Sequence, residues 1–413
     1  MHILFLTDNF PPEVNAPATR TFEHAVEWVR AGARVTVITG APNFPTGQVF
    51  EGYRNRPYQI EQLDSGITVV RVWTYITANR GFARRIVDYL SFAASSAIAG
   101  TFVRDIDVIV ATSPQFFTTF SGLLLSWMKR RPWVFELRDL WPETIRSVGA
   151  MRSGFALRAL EKLELFLYRQ SDLVIAVTNA FVDDLESRGI KRGKIRVVRN
   201  GANLNAYSPI PRDQALMKQL GLQGTFVVGY LGTIGMCHGL PDLLPHVPDE
   251  CGGKPVSLVI VGEGAERERA MHAATEAGLK HVHFVGMVKK TDVARYLSIF
   301  DCGLVPLRDD PNFTRVIPSK IFELCAMGKP ILLGVRGESQ ELIMQYNAGI
   351  CYRPGNGQDF AQALREMVTN DARRAEMIAG ARTLAHDFDR SKLANSMLGY
   401  LQEVAQPAMA RTT

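Results

Sequence analysis

Short apolar, β-branched runs alternate with helix-length stretches along nearly the whole chain, and no other feature limits its fold so tightly. In the first half the runs are His2–Thr7, Arg34–Thr39, Ile67–Trp73, Asp107–Thr112, Trp133–Leu137, Leu173–Val177 and Ile195–Arg199. Runs of this kind, each separated from the next by enough chain for a helix, predict an α/β fold with a parallel, doubly wound sheet. A polar stretch from Asn203 to Gln223, with SPIPRDQ at its centre, interrupts the pattern as a linker would. A second series follows at Phe226–Leu231, Val256–Val261, His281–Val285, Cys302–Pro306 and Ile331–Val335, and then two helical segments, Gln358–Ala385 and Ser391–Val404. The economical reading is two Rossmann-like domains facing one another across a cleft. Their expected limits are residues 1–205 and 224–385, with a linker at 206–223, a terminal helix at 386–405 and a frayed tail from Gln406. A length of 413 residues and a hydrophobic content of 46% are enough for two cores of ordinary size.

The remaining bulk properties exclude several classes. The cysteines, Cys237, Cys251, Cys302, Cys325 and Cys351, show no C-x-x-C spacing, so neither a disulfide framework nor a zinc site is indicated and a reducing cytoplasm is expected. No apolar run approaches the roughly 18 residues that suggest a membrane span. Met1 leads directly into HILFLT without a charged leader, so no export signal is expected. A net charge of +6 permits attraction to phosphates or anionic lipid without calling for nucleic acid.

The stretch Val316–Val335, VIPSKIFELCAMGKPILLGV, carries the densest chemistry. Pro318 suits a first helical position, Gly328 a left-handed C-terminal cap, and Pro330 a stop, after which Ile331–Val335 reads as a buried strand. Lys320 and Glu323 share one helix face and Arg315 stands just before it. Two readings are open. The helix start with its flanking cations is a seat for phosphate, with Glu323 accepting from a sugar diol. Alternatively, this is a sheet-covering helix with a surface Lys–Glu pair worth about 0.2–0.5 kcal/mol.

The run P-x-K-x-x-E-x-x-A-x-G-x-P, here Pro318, Lys320, Glu323, Ala326, Gly328 and Pro330, resembles the C-terminal signature of retaining glycosyltransferases of family 4. The resemblance covers nearly the whole chain. It implies the GT-B fold, a nucleotide-diphosphate sugar as donor, no metal requirement, and a terminal helix that crosses back onto the N-terminal domain. Many members carry a second Glu where this chain has Arg315, so the resemblance carries Glu323 over as the ribose ligand and leaves Arg315 and Lys320 to stabilise the departing diphosphate. Members often hold a double glycine after the first strand, where Asn15 and Ala16 stand in the loop TDNFPPEVNAPATR; a proline-stiffened connector to a helix at Thr19–Arg30 is the other reading. In VVGYLGTIGMCHGLPDLL, Gly232 is kept, while Thr233 and His238 occupy the positions of a phosphate-binding Arg and Lys. Main-chain groups from Val285 to Val288 match the base-binding corner, and Glu341 matches an acidic position that also suits a plain helix start.

Further resemblance lies in WVFELRDLWPETIRSVG. The run RDLWPE is similar to a subgroup that builds O-antigen and capsule from N-acetylated or deoxy amino sugars of the N-acetylfucosamine type. Many relatives carry His-Asp where this chain has Arg138-Asp139; Arg138 cannot act as a base but can orient a hydroxyl or phosphate, with Asp139 or Glu143 as its partner. A salt-bridged structural corner is the alternative. Asn200-Gly201 matches a family turn and suits positive φ. The D-x-D runs Asp105-Ile106-Asp107 and Asp387-Phe388-Asp389 are expected to be structural. VIVGEG at Val259–Gly264 lacks the third glycine of a dinucleotide fingerprint, since Arg267 takes its place.

Basic residues precede a largely apolar stretch at Arg80–Val103, and WMKRRPW at Trp127–Trp133 repeats the theme. Such a sequence fits a peripheral contact with an anionic membrane or a buried helix with a charged start. The expected function is transfer of a sugar from a nucleotide-diphosphate donor, UDP by family habit, to a lipid-linked or oligosaccharide acceptor at the cytoplasmic face. The rivals are a UDP-sugar epimerase of the same fold and a degenerate, membrane-associated scaffold, the latter motivated by the departures at Asn15, Thr233, His238 and Arg315.

Overall fold

A computed structural model describes residues 1–44, 46–77, 82–113, 115–140 and 154–406, with backbone alone at 82, 83, 155 and 156. The chain forms two units, one of Met1–Arg199 with Ser391–Thr413 and one of Asn200–Arg390. The expected linker at 206–223 thus falls within the second unit, where it holds a short helix, Gln214–Gln219.

The first unit runs β1 (His2–Leu6), α1 (Ala16–Arg30), β2 (Arg34–Gly40), β3 (Tyr58–Gln62), β4 (Thr68–Val72), α2 (Phe82–Phe102), β5 (Val108–Thr112), α3 (Thr118–Lys129), β6 (Trp133–Leu137), α4 (Gly154–Gln170), β7 (Leu173–Ala176), α5 (Asn179–Ser187) and β8 (Ile195–Val197). Its sheet has the order β3-β4-β2-β1-β5-β6-β7-β8 and is parallel except for β3, which pairs antiparallel with β4. All residues of β1, β5 and β6 are buried, because helices cover both faces. Helix α1 begins at Ala16, three residues before the expected Thr19. Asn15 caps it, with Oδ1 accepting from Ala18 N at 2.9 Å. Ala18, Thr21, Ala25 and Trp28 form its buried stripe.

The second unit runs α6 (Gln214–Gln219), β9 (Phe226–Leu231), α7 (Leu240–Leu243), β10 (Glu250–Cys251), β11 (Lys254–Val261), α8 (Arg267–Glu276), β12 (Val282–Gly286), α9 (Val293–Ser298), β13 (Cys302–Pro306), α10 (Lys320–Ala326), β14 (Ile331–Gly334), α11 (Glu338–Gln345), β15 (Gly349–Cys351), α12 (Gly357–Thr369) and α13 (Asp371–Asp387). The order is β10-β11-β9-β13-β14-β15, with β12 also on β11. Only β10 runs antiparallel to its neighbour. Pro318 lies outside α10, which starts at Lys320, so it shapes the approach to the helix instead of opening it. Gly328 follows that helix at φ +67°, as a left-handed stop requires.

The last helix, α14 (Arg390–Ala405), packs into the first unit, where Ala394, Met397, Leu398, Leu401 and Val404 join the core. Trp28 Nε1 donates to Ala394 O at 2.8 Å. The predicted positive φ at Asn200-Gly201 is not found; instead the buried Arg390 guanidinium binds Gly201 O, with Nε at 3.1 Å. One carboxylate of each D-x-D run makes a contact within the fold. Asp107 accepts from His2 N at 2.7 Å before β5, and Asp387 accepts from Tyr346 Oη at 2.8 Å.

Candidate functional site

Ligands of open α/β sheets bind beyond the carboxyl ends of the strands, and in the second unit those ends are laced together. Gly232 N donates to Val261 O at 2.9 Å, Ile234 N to Glu263 O at 2.9 Å, and Gly262 N to Gly286 O at 2.8 Å. The loops after β9, β11 and β12 therefore form one continuous rim. Gly262 has φ +145°, and a Cβ there would lie 1.9 Å from Gly232 O. The glycines of VIVGEG thus serve loop-to-loop approach, which accounts for a fingerprint-like run without a third glycine.

Behind this rim lies Lys320. Its Nζ is buried without a hydrogen-bond partner, 4.1 Å from the centroid of the Tyr230 ring and 3.5 Å from where a Gly232 Cβ would stand. Burial pushes its pKa down to about 8, against the opposing charges of Cys237 and Glu323. A desolvated ammonium over a π face, with no hydrogen-bond acceptor of its own, is poised for an anion. His238 completes the group. Its Nδ1 accepts from Gly235 N at 3.2 Å, so the ring proton belongs on Nε2, and burial together with Lys320 pushes its pKa down to about 3. At neutral pH it is a neutral donor and does not replace the lysine charge of the family pattern.

The other predicted residues of the second unit stand at separate places on its elements. Thr233 is exposed and its carbonyl accepts from Tyr230 Oη at 2.6 Å. Arg315, half-buried, ends the 3-10 turn Pro311–Arg315, and Glu323 is half-buried on α10. Val288 follows β12, and Glu341 is exposed in the first turn of α11. Tyr230 and Arg308 went unnoticed in the sequence. Arg308 follows β13, its backbone N donates to Cys237 O at 2.8 Å, and its guanidinium pairs with Asp242 at 3.3 Å. An arginine two residues past a buried strand was the available signal.

In the first unit, Arg138 and Asp139 follow β6. Ser113 Oγ accepts from both backbone nitrogens, at 2.9 and 3.5 Å, and the Arg138 guanidinium donates to Pro17 O and Ala16 O at 3.3 and 3.4 Å. Arg138 thus secures the start of α1. Burial pushes Asp139 up to about 6, with Arg138 opposing. Glu143, the alternative partner of Arg138, lies outside the described residues, as does the rest of the run from Trp141 to Gly149. Beneath, Arg20 and Glu136 form a fully buried pair at 3.1 Å. Asn15 donates from Nδ2 to Asn9 Oδ1, so its side chain is spent on the cap and the loop. A cavity of about 210 Å³ opens beside it, lined among others by Asp8, Glu13, Asp88, Tyr89 and Gln115.

Helices α2 and α3 meet where Gly100 backs onto Leu125, and beside this contact Ile98, Phe102, Leu124, Trp127 and Met128 are exposed. Arg104, Arg130 and Arg131 are exposed next to them, whereas Lys129 Nζ is taken by Thr101 O and Val103 O at 3.0 and 2.8 Å. Phe92 and Ala99 of α2 are buried, so the helix has both an inner and an outer apolar face; Arg80, at the head of this stretch, is outside the described residues. No helix of the described residues is long and apolar enough to cross a membrane.

Comparison with known proteins gives two family matches in tandem. Residues 15–201 match the Glycosyl transferase 4-like domain and residues 213–384 match Glycosyl transferases group 1. The chain is 25% identical over 337 residues to the putative colanic acid biosynthesis glycosyl transferase WcaI of Escherichia coli K12, covering 79% of this chain and 82% of that one. Sucrose-phosphate synthase from Thermosynechococcus elongatus has a similar structure, with a TM-score of 0.77, 16% identity and 98% of each chain covered. Anabaena HepE, solved in complex with UDP, has a TM-score of 0.71 and 20% identity over 98% of this chain and 100% of that one. With both glycosyltransferase models matched in sequence and a two-part α/β fold shared with these structures, the chain belongs to the family-4 glycosyltransferases of GT-B fold.

Proposed function

We propose that this glycosyltransferase moves an N-acetylated or deoxy amino sugar from a UDP-linked donor to a lipid-linked or oligosaccharide acceptor in bacterial surface polysaccharide synthesis, with retention of configuration. The observation that carries a donor site is the buried, unpartnered Lys320 ammonium behind the rim of Gly232 and His238. The UDP assignment draws on HepE, and the pathway class on WcaI, whose name refers to colanic acid.

In the mechanism we propose, an acceptor hydroxyl attacks the anomeric carbon on the face the diphosphate leaves. One C–O bond forms as the bond to the phosphate oxygen breaks, and the hydroxyl proton passes to the departing phosphate. Lys320 and Arg315 meet the growing charge, His238 Nε2–H and rim amides donate to phosphate oxygens, and Glu323 accepts from the ribose. Val288 and Glu341 border the base and sugar ends, while Arg138 and Asp139 serve the acceptor side. These groups carry out the charge stabilisation without a metal, so chelator leaves the rate unchanged.

Thermal unfolding of the purified chain with UDP, GDP, ADP and TDP tests the donor site. UDP stabilises selectively, and the effect disappears in Glu323→Ala. A folded protein that no nucleotide stabilises returns the degenerate scaffold to first place. The exposed face of α2 and α3, with Arg104, Arg130 and Arg131, is proposed as the peripheral contact with anionic membrane at the cytoplasmic side.

A further inference from the structure

Two residues past β13 stands Arg308, whose stem and head are held very differently. Its backbone N donates to Cys237 O at 2.8 Å, and Asp310 N donates to its carbonyl at 2.9 Å. The stem lies across the turn at 235–239: Gly239 has φ +59°, and a Cβ there would stand 3.1 Å from Arg308 Cγ and 3.8 Å from Nε. Lys320 reaches the same turn. Burial pushes the Cys237 thiol up, and Lys320 and Arg308 both oppose that shift, so two cations act on the turn at which His238 is neutral.

The guanidinium has only loose partners. One terminal nitrogen stands 3.3 Å from Asp242 Oδ2 and 4.0 Å from Glu266 Oε2, and the side chain is 45% exposed. Arg269 holds the same two carboxylates at 2.7 Å each, one from each of its terminal nitrogens. Two arginines and two carboxylates thus share this corner, and Arg269 reaches both acids without help. Exposed pairs of this kind add little stability, and a second donor at longer range adds less. Arg308 can therefore leave without stranding a carboxylate, while its backbone stays tied to the turn.

We propose that Arg308 is a donor-binding residue that leaves Asp242 for the diphosphate when the nucleotide enters, standing in for the charges missing at Thr233 and His238. The assignment rests on the donor site proposed above. A diphosphate brings negative charge that Thr233 cannot meet and that neutral His238 meets only as a hydrogen-bond donor. A guanidinium offers it parallel N–H donors and a charge that deprotonation does not remove. Asp242 is then a built-in competitor of the diphosphate, and its hold on Arg308 lowers donor affinity.

Calorimetric titration of the full chain with UDP tests this, with the nucleotide-free unfolding midpoint measured on each variant. Arg308→Gln weakens UDP about tenfold at an unchanged midpoint, and Arg308→Lys restores part of the loss. Asp242→Asn tightens UDP several-fold, and that gain disappears when Arg308→Gln is added, because the two residues then have nothing to exchange. UDP binding that Arg308→Gln leaves unaltered overturns the proposal. So does a loss accompanied by a lowered midpoint and not relieved by Arg308→Lys, which marks a structural role. A gain from Asp242→Asn that persists in full without Arg308 marks plain repulsion and overturns it as well. Wild-type protein that binds no UDP sinks the donor site and this assignment together. UDP binding that is lost in Glu323→Ala and kept in Arg308→Gln leaves the donor site and removes Arg308 alone.

Discussion

The proposed donor chemistry turns on one atom of the second unit, Lys320 Nζ. Its pKa of about 8 lies below the value for a solvated lysine because burial disfavours the charged form. A diphosphate binds the protonated form, so donor affinity and rate are greatest below that value and fall as pH rises through it. The stability contribution has the opposite sign: the unfolded chain holds the proton more tightly, so this group adds stability as pH rises from about 8 towards the ordinary lysine range. Lys320→Met lowers kcat by about 100-fold with a smaller change in donor KM, and it flattens the alkaline limb of the pH profile. A variant that changes only KM would leave Lys320 as a binding group. Lys320 and Glu323 were legible from the sequence, because the spacing of the signature names them. The π contact with Tyr230 and the neutrality of His238 were not, since both depend on how deeply β9 and its loop are buried.

At the scale of elements, the strands that sequence exposes best are those buried on both faces. β1, β5 and β6 show continuous apolar runs, and each was read within a residue or two. β3 was missed, because YQIEQ at a sheet edge keeps one face in solvent and alternates accordingly. The single helix expected over Gln358–Ala385 is two, broken at Asn370, whose side chain accepts from Arg373 N at 3.0 Å and caps the second. Periodicity continues across that residue, so only the cap chemistry marks the break. Helix α14 carries its own test. Met397 is fully buried in the first unit's core, and Met397→Ala destabilises that unit by about 2–5 kcal/mol. Urea unfolding followed by tryptophan fluorescence reports it, since Trp28 donates to the same helix.

For the molecule as a whole, sequence reading reached the fold class, and the tandem family matches and shared architecture bear it out. The outer face of α2 and α3 gives a prediction at this scale. Cosedimentation with vesicles containing anionic lipid retains the chain, Phe102→Ser with Trp127→Ser reduces retention several-fold, and neutral vesicles retain little. Equal retention on both vesicle types would discount the arginines. The chain enters the second unit at Asn200 and leaves it after Arg390, where Arg390 N donates to Ala202 O at 2.9 Å and Ala202 N donates to Phe388 O at 3.2 Å. The second unit is therefore an insertion closed at its own base. During synthesis it has all its parts while the first unit still lacks α14, and Trp28, made long before that helix, waits for a carbonyl at Ala394. Order of manufacture and order of completion are reversed in this chain, so its earliest-made half is the one that stays open to chaperones longest.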